Sequence, residues 1–340
     1  MKKIFITVAN TSGTIPLIRE LKEEGFEVHV GDMNPDAIGR FFADHFSVLP
    51  PQKSDEYIQV LLTIVKNQKI DVLIPAGELE CLKIAQEKTK FEALGCTPIV
   101  TNLKTLEIAL EKIDSYDYLV KNTDIPFMRY HRVESLDDLE KGLIKFKECP
   151  KLSLKPSQGS GSRGFTILDD TPLDAESYFN RKSSFTTMSI NDLKSMLKHS
   201  KNIPTLILME HLEGVHYDSN LICKNGEILF QSVKTREETI NGTITKATMI
   251  VNEKIYEMNR KIAKSLNVDG YIMIQYIGDK LVEINPRWST SVNYKNINEY
   301  IMAIKLALGE KISISKEEQN EYIGVKFIRY FDTFAYKNIL

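Results

Sequence analysis

Cysteine is scarce and scattered. Cys81, Cys96, Cys149 and Cys223 stand singly with no CxxC spacing, which speaks against a zinc knuckle or a disulfide framework and reads as buried free thiols. Positive charge is not in excess either: 44 Lys+Arg against 46 Asp+Glu give a formal net charge of -2, too little to neutralise a nucleic-acid backbone, so no nucleic-acid partner is expected. No run approaches the roughly 18 apolar residues that a membrane-crossing helix needs. The start, MKKIFITVAN, lacks the longer apolar region and small-residue cleavage site of a signal peptide, so no membrane partner and a cytoplasmic protein are expected. No Ser-His-Asp or Cys-His set suggests covalent catalysis. What remains is a 340-residue globular chain, long enough for two or three domains.

The first hundred residues alternate strand and helix patterns. IFITV, FEVHVGD and DVLIPA read as strands, and TIPLIRELKEEG and YIQVLLTIVKNQ as amphipathic helices, the first ending at Gly25. Such a series predicts a parallel sheet covered by helices. The loop 9–16 (ANTSGTIP) and Asp32 stand where a dinucleotide fold binds pyrophosphate and ribose, but only one of the three fingerprint glycines is present.

A second region opens near residue 112, with a helix over EIALEKIDSYDYLVKNT, a strand over IPFMRYHRV and a helix over SLDDLEKGLIKFKE capped by Ser135. Residues 159–164, GSGSRG, match GxGxxG in letters, yet they lie between the alternating runs LSLKP and GFTIL. A dinucleotide loop must open a helix, so this one reads as a hairpin turn. Such a tip folds over phosphates through backbone N–H groups, with Lys155 beside it, or is simply a flexible surface turn. A kinase would also need HRDxxxxN and DFG, and neither occurs. Residues 171–204 read as a polar insertion carrying a helix over INDLKSMLKHS.

In 205–222 (TLILMEHLEGVHYDSNLI) an apolar strand runs into an extended link, a pattern that holds a flat purine by its edge; Glu210 and Glu213 beside the link are either ligand contacts or solvated surface acids. After the strand EILFQSVKTREE come a polar loop, NGTITK, and a helix over KIYEMNRKIAKSLN. Then 270–290 (GYIMIQYIGDKLVEINPRWST) forms two strands around GDK. Alternation puts Glu283, Asn285 and Arg287 on one face, and antiparallel pairing brings Gln275 beside them. Hard oxygen ligands suit Mg²⁺, and a guanidinium fork holds a phosphate or carboxylate. The alternative is a polar exposed edge strand.

Taken in order, EKIDSYDYL, KPSQGSGSRG, MEHLEG, Gln275 and EINPR resemble the ATP-grasp superfamily, in the branch of ligases similar to the carbamoyl-phosphate synthase large subunit. The resemblance covers nearly the whole chain. It implies an α/β and α+β fold: a Rossmann-like pre-ATP-grasp domain over residues 1–108, a first lobe with the lid hairpin over 109–208, and a second lobe over 209–340. It implies ATP and Mg²⁺, with Mn²⁺ as a substitute. Lys112 and Lys155 match the phosphate-binding lysines. Ser157, Gly159, Ser160, Gly161, Ser162 and Gly164 match the lid, while Glu210, His211, Leu212 and Glu213 match the adenine hinge. Glu283, Asn285 and Gln275 match the metal site, and Arg287 matches the phosphate-binding arginine. His216 stands where many relatives carry a ribose-binding acid, and Trp288-Ser289-Thr290-Ser291 replaces a glycine common after the arginine.

The reaction so implied is ATP-dependent joining of a carboxylate to an amine through an acylphosphate, with amino acids or small peptides as expected substrates and Lys155, Arg236 and Arg287 carrying the charge work. Arg236 would anchor a carboxylate, with Lys246 nearby; Asp218 is a candidate for holding an amino group. A homodimer fits the resemblance. Two other readings compete: a nucleotide-binding protein without turnover, and a nicotinamide oxidoreductase.

Overall fold

The computed structural model describes residues 1–11, 13–159, 163–171, 186–240, 242–288, 290–330 and 332–336. The apolar runs near the N-terminus form a five-stranded parallel sheet from β1 (Lys3–Thr7), β2 (Glu27–Asp32), β3 (His45–Val48), β4 (Val72–Ile74) and β5 (Thr97–Pro98), in the order β3-β2-β1-β4-β5. Helices α1 (Thr14–Glu23), α2 (Tyr57–Gln68), α3 (Glu78–Gln86) and α4 (Lys88–Ala93) lie in the crossovers. Parallel strands require such crossovers and are covered on both faces, hence the nearly continuous apolar reading of β1. Within β2, Gly31 leaves room for its neighbours: a Cβ there would sit 2.7 Å from both Phe5 Cζ and Leu49 Cδ1.

The single helix expected over EIALEKIDSYDYLVKNT is two, α5 (Leu103–Leu110) and α6 (Lys112–Asn122), broken at Glu111 with φ -100° and ψ 104°. The break is held by the lid strand: Lys112 N donates to Ser157 O (3.2 Å) and Ile113 N to Ser157 Oγ (3.3 Å). Ser157 thus supplies a cap that α6 lacks among its own residues.

The next sheet runs β6-β10-β7-β8-β9, from β6 (Tyr130–Val133), β7 (Leu152–Pro156), β8 (Thr166–Leu168), β9 (Thr186–Met188) and β10 (Leu206–Glu210). As expected for a hairpin, β7 and β8 pair antiparallel, Leu154 opposite Thr166. Helices α7 (Leu136–Lys145), capped by Ser135 through Asp138 N, and α8 (Ile190–His199) cover this sheet with Leu139, Leu193 and Leu197.

The largest sheet has seven strands. Its order is β13-β14-β12-β11-β15-β16, with β17 on β14. The strands are β11 (His216–Lys224), β12 (Glu227–Thr235), β13 (Glu238–Ile240), β14 (Thr243–Ile250), β15 (Gly270–Ile277), β16 (Lys280–Asn285) and β17 (Lys326–Ile328). The stretch expected to be a polar loop, NGTITK, mostly opens β14: Ile244 is buried and Thr243 pairs with Ile240.

One face of this sheet packs Leu221, Val233, Ile272, Ile274 and Tyr276 on helix α9 (Glu253–Leu266). Each such aliphatic side chain contributes about 1.5–3 kcal/mol through burial. The opposite face divides. At one end Ile222, Phe230, Tyr271 and Met273 join Ile4 of β1, Ile18 and Leu21 of α1, and Ile301 and Ile304 of helix α10 (Glu299–Ala307) in a shared core. At the other end the same face turns polar. Helix α11 (Lys316–Tyr322) follows, and among the described residues no helix is long and apolar enough to cross a membrane.

Candidate active site

The polar end of that face follows from strand alternation. Register places Asp218 beside Lys234 on β12 and beside Gln275 on β15, and Gln275 beside Glu283 on β16. Two residues along each strand, the same face carries Ser232, Asn220 and Asn285. A cavity of ≈ 1730 Å³ opens over this file and extends between β7, β10 and the loop after β1.

Two lysines from other elements enter the cavity from above. Lys112, at the first position of α6, places Nζ 3.6 Å from Glu283 Oε1 and donates to Gly159 O at 2.5 Å. Lys155, near the end of β7, places Nζ 3.9 Å from Glu283 Oε2 and 3.3 Å from Val282 O. Its ammonium also stands 5.6 Å from the centroid of the Tyr116 ring, and the Tyr116 hydroxyl bonds to the same Val282 carbonyl. Burial lowers the Lys155 pKa, with Glu283 opposing the shift. Two sparsely hydrated cations therefore converge on one carboxylate, an arrangement suited to a dense anion.

At the hinge, Glu210 is engaged by protein. Its Oε1 accepts from Lys280 Nζ (2.7 Å) and Arg129 N (3.0 Å). Burial would raise its pKa, but the bonds from Lys280 and Arg129 outweigh that and hold the carboxyl below its usual range. Thus Glu210 fastens β10 to β16 and to Arg129, the residue before β6. His211 bonds through Nδ1 to Ser153 Oγ at 2.7 Å and borders the cavity with Leu212 and Met209. The Glu213 side chain is largely exposed, its carboxylate 4.0 Å from Lys151. His216 begins β11 on the cavity rim, and its carbonyl accepts from Arg236 N at 2.8 Å.

Several expected positions fall elsewhere. Asp32 is committed to its own loop, accepting from Asn10 N (3.0 Å) and Asn34 N (2.9 Å), so it is not presented to a ribose. Ser157 faces α6 rather than the cavity. Gly164 does not line the cavity and packs on Pro156. Ser160, Gly161 and Ser162 lie outside the described residues. Arg287 sits past the end of β16, so its direction comes from the chain's bend after Pro286 rather than from the pleat: Nε reaches Glu78 Oε1 at 3.1 Å and Nη1 donates to Trp288 O. Lys246 pairs at the surface with Glu238 (3.5 Å).

Arg236 Nη1 lies 3.6 Å from Asp218 Oδ1 while Nη2 donates to Gly242 O at 3.1 Å. Burial raises the Asp218 pKa against the pull of Arg236 and Lys234. Lys234 is fully buried and its pKa is lowered by that burial. Glu78, Lys280 and Lys234 escaped the sequence reading. A periodic pattern shows which face a residue occupies, but not which distant element comes to meet it.

The fold places the lysine-flanked oxygen file in a two-lobed architecture behind a parallel-sheet domain. A model described as "PylC-like, N-terminal domain" matches residues 4–99, and one described as "ATP-grasp in the biosynthetic pathway with Ter operon" matches residues 202–329, so these two stretches are similar to ATP-grasp family domains. Among curated proteins it is 25% identical over 342 residues to the carbamoyl phosphate synthase large chain of Methanosphaerula palustris, covering 92% of this chain and 30% of that one. The Clostridium botulinum (strain Kyoto / Type A2) large chain is 23% identical over 92% of this chain and 29% of its own length. The chain therefore spans under a third of these relatives. Among solved structures, N5-carboxyaminoimidazole synthetase from Staphylococcus aureus complexed with ADP superposes with a TM-score of 0.66 at 14% identity, covering 92% of this chain and 78% of that one. L-amino acid ligase from Bacillus licheniformis gives 0.65 at 14% identity, covering 96% and 78%.

Proposed function

We propose that this chain is an ATP-dependent, ADP-forming ligase that joins a carboxylate to an amine or similar nucleophile through an acylphosphate. The observation that carries the reading is the convergence of Lys112 and Lys155 on Glu283, beside Gln275 and Asn285, in a cavity that continues to Arg236 and Arg287. The division 1–108, 109–208 and 209–340 is part of the same proposal.

ATP binds with its base along the Met209–Leu212 link and its phosphates under Gly159, between Lys112 and Lys155. A substrate carboxylate oxygen attacks the γ-phosphorus; the bond to the β–γ bridging oxygen breaks, giving ADP and an acylphosphate. The amine then attacks the acyl carbon, the C–O bond to phosphate breaks, and a proton is lost from nitrogen. The lysines and Arg287 spread the charge that builds on the phosphoryl oxygens, and little covalent chemistry is asked of the protein. Glu283, Asn285 and Gln275 fit Mg²⁺, being one carboxylate and two amides on one sheet face without sulfur or imidazole. Bound there, the ion would neutralise the β and γ oxygens.

Because the Bacillus licheniformis structure is an L-amino acid ligase, amino acids are the first substrates to try. ADP and phosphate release from Mg-ATP across single amino acids and pairs, with NADH oxidation in parallel, tests the reading. Release that depends on one pair supports it; ATP binding without release from any carboxylate–amine pair would favour the reading without turnover.

A further inference from the structure

We propose that Glu27, His29 and His45, on the edge of the N-terminal sheet and apart from the cavity, form a site for a borderline divalent transition metal of the Zn²⁺ class. Glu27 and His29 are two residues apart on β2 and so share a face, and parallel register sets His45 of edge strand β3 directly beside His29. One ligand atom from each lies within 4.8 Å of the other two. Glu27 Oε1 is 2.8 Å from His29 Nε2 and 3.4 Å from His45 Nε2, and the imidazole rings stack with centroids 4.4 Å apart. Donors at such separations need little movement to sit at the ~2.0–2.2 Å bond lengths of a Zn²⁺ site.

The support behind His29 resembles that of a metal ligand. Its Nδ1 lies 2.6 Å from Gln68 Oε1 of α2, and the Gln68 amide nitrogen donates to Ser47 Oγ at 3.1 Å, which fixes the amide oxygen toward the ring. Gln68 thereby braces the ring from behind, with Nδ1 on the amide oxygen and Nε2 directed at Glu27. This buried imidazole has oxygen acceptors at both nitrogens, and a cation bound between Nε2 and Glu27 would take the place of the proton shared there. Two imidazoles and one carboxylate favour Zn²⁺, Ni²⁺ or Co²⁺ over Mg²⁺. His45 is largely exposed, so solvent completes the coordination. One group competes: Lys3 Nζ lies 3.1 Å from Glu27 Oε1, on a side chain exposed enough to swing away.

The test is Zn²⁺ titration of the tag-free full chain by calorimetry with Mg²⁺ saturating, together with Co²⁺ visible absorption and melting curves. Wild type is expected to take up one Zn²⁺ per chain and melt higher with the ion. His45→Ala, at an exposed position that the core does not need, should weaken binding at least tenfold and abolish the thermal shift. Gln68→Ala should weaken it roughly tenfold while leaving every ligand in place, and Lys3→Gln should tighten it by removing the competing ammonium. Absence of saturable uptake, or uptake unchanged by His45→Ala, overturns the site.

Discussion

Arg287 Nε lies 3.1 Å from Glu78 Oε1, so the segment just after β16 is tied to the first turn of α3, beside the N-terminal sheet. With Nη1 donating to Trp288 O, the fork is held by two protein contacts, and among the described residues none bonds to Nη2, which is left for an oxyanion. Arg287→Met is expected to lower turnover about 10²-fold, the scale of losing one charge-stabilising donor. Glu78→Ala should lower it less, because the guanidinium survives but swings. Steady-state ADP release by both variants checks the order; equal losses would show that Glu78 does more than aim the fork.

Lys155 makes alkaline pH act in opposite directions on binding and folding. Burial depresses its pKa, so between the folded value and the ordinary ~10.4 the unfolded chain binds more protons and folding stability rises with pH. The buried Lys234 acts in the same direction. Over that window Lys155 loses its charge and nucleotide affinity falls. Lys155→Arg, which stays protonated, should shift the binding limb upward. Nucleotide titrations and urea melts along one pH series would show the crossing trends.

Removing Arg236 strands a buried acid. Asp218 and Arg236 have side chains only 2% and 13% exposed, so Arg236→Ala should cost about 3 kcal/mol at neutral pH. A carboxyl whose folded pKa is raised contributes stability below its unfolded value and loses it as pH rises. The deficit should therefore shrink on acidification toward pH 4, and Asp218→Asn added to Arg236→Ala should recover part of it. Denaturant melts at acid and neutral pH measure both effects.

Chelation of Mg²⁺ is expected to abolish ADP release, and so is Glu283→Gln at any Mg²⁺ concentration. The variant should still show thermal protection by ATP, since Lys112, Lys155 and the hinge remain. Loss of that protection as well would mean that Glu283 chiefly holds the two lysines in place.

Local pattern made much of this molecule legible. Period-two and period-3.6 hydrophobicity located β1, α1, β2, α2, α7, β15 and β16, and side-chain alternation correctly grouped Gln275 with Glu283 and Asn285. Failures arose where distant chain decides. Glu111 breaks a helix because Ser157, distant along the chain, offers the cap. Glu210 looks like a free ligand acid until Lys280 and Arg129 are brought to it. Arg287 continues the alternation on paper, but the strand has already ended at Asn285 and Glu78 sets its direction.

The shared core of Ile4, Ile18 and Leu21 with Phe230, Trp288, Ile301 and Ile304 bears on how such chains can be recombined. The N-terminal sheet is not a detachable bead on a linker. A chimera that takes residues 4–99 from a relative inherits a surface shaped for that relative's own counterparts of β12, the segment after β16 and α10. Grafts that carry both halves of this contact should fold, whereas exchanges cut at the sequence boundary alone should yield insoluble protein. Substrate preference, if it is altered by swapping the N-terminal sheet, will therefore be inherited in blocks that are contiguous in space and discontinuous along the gene.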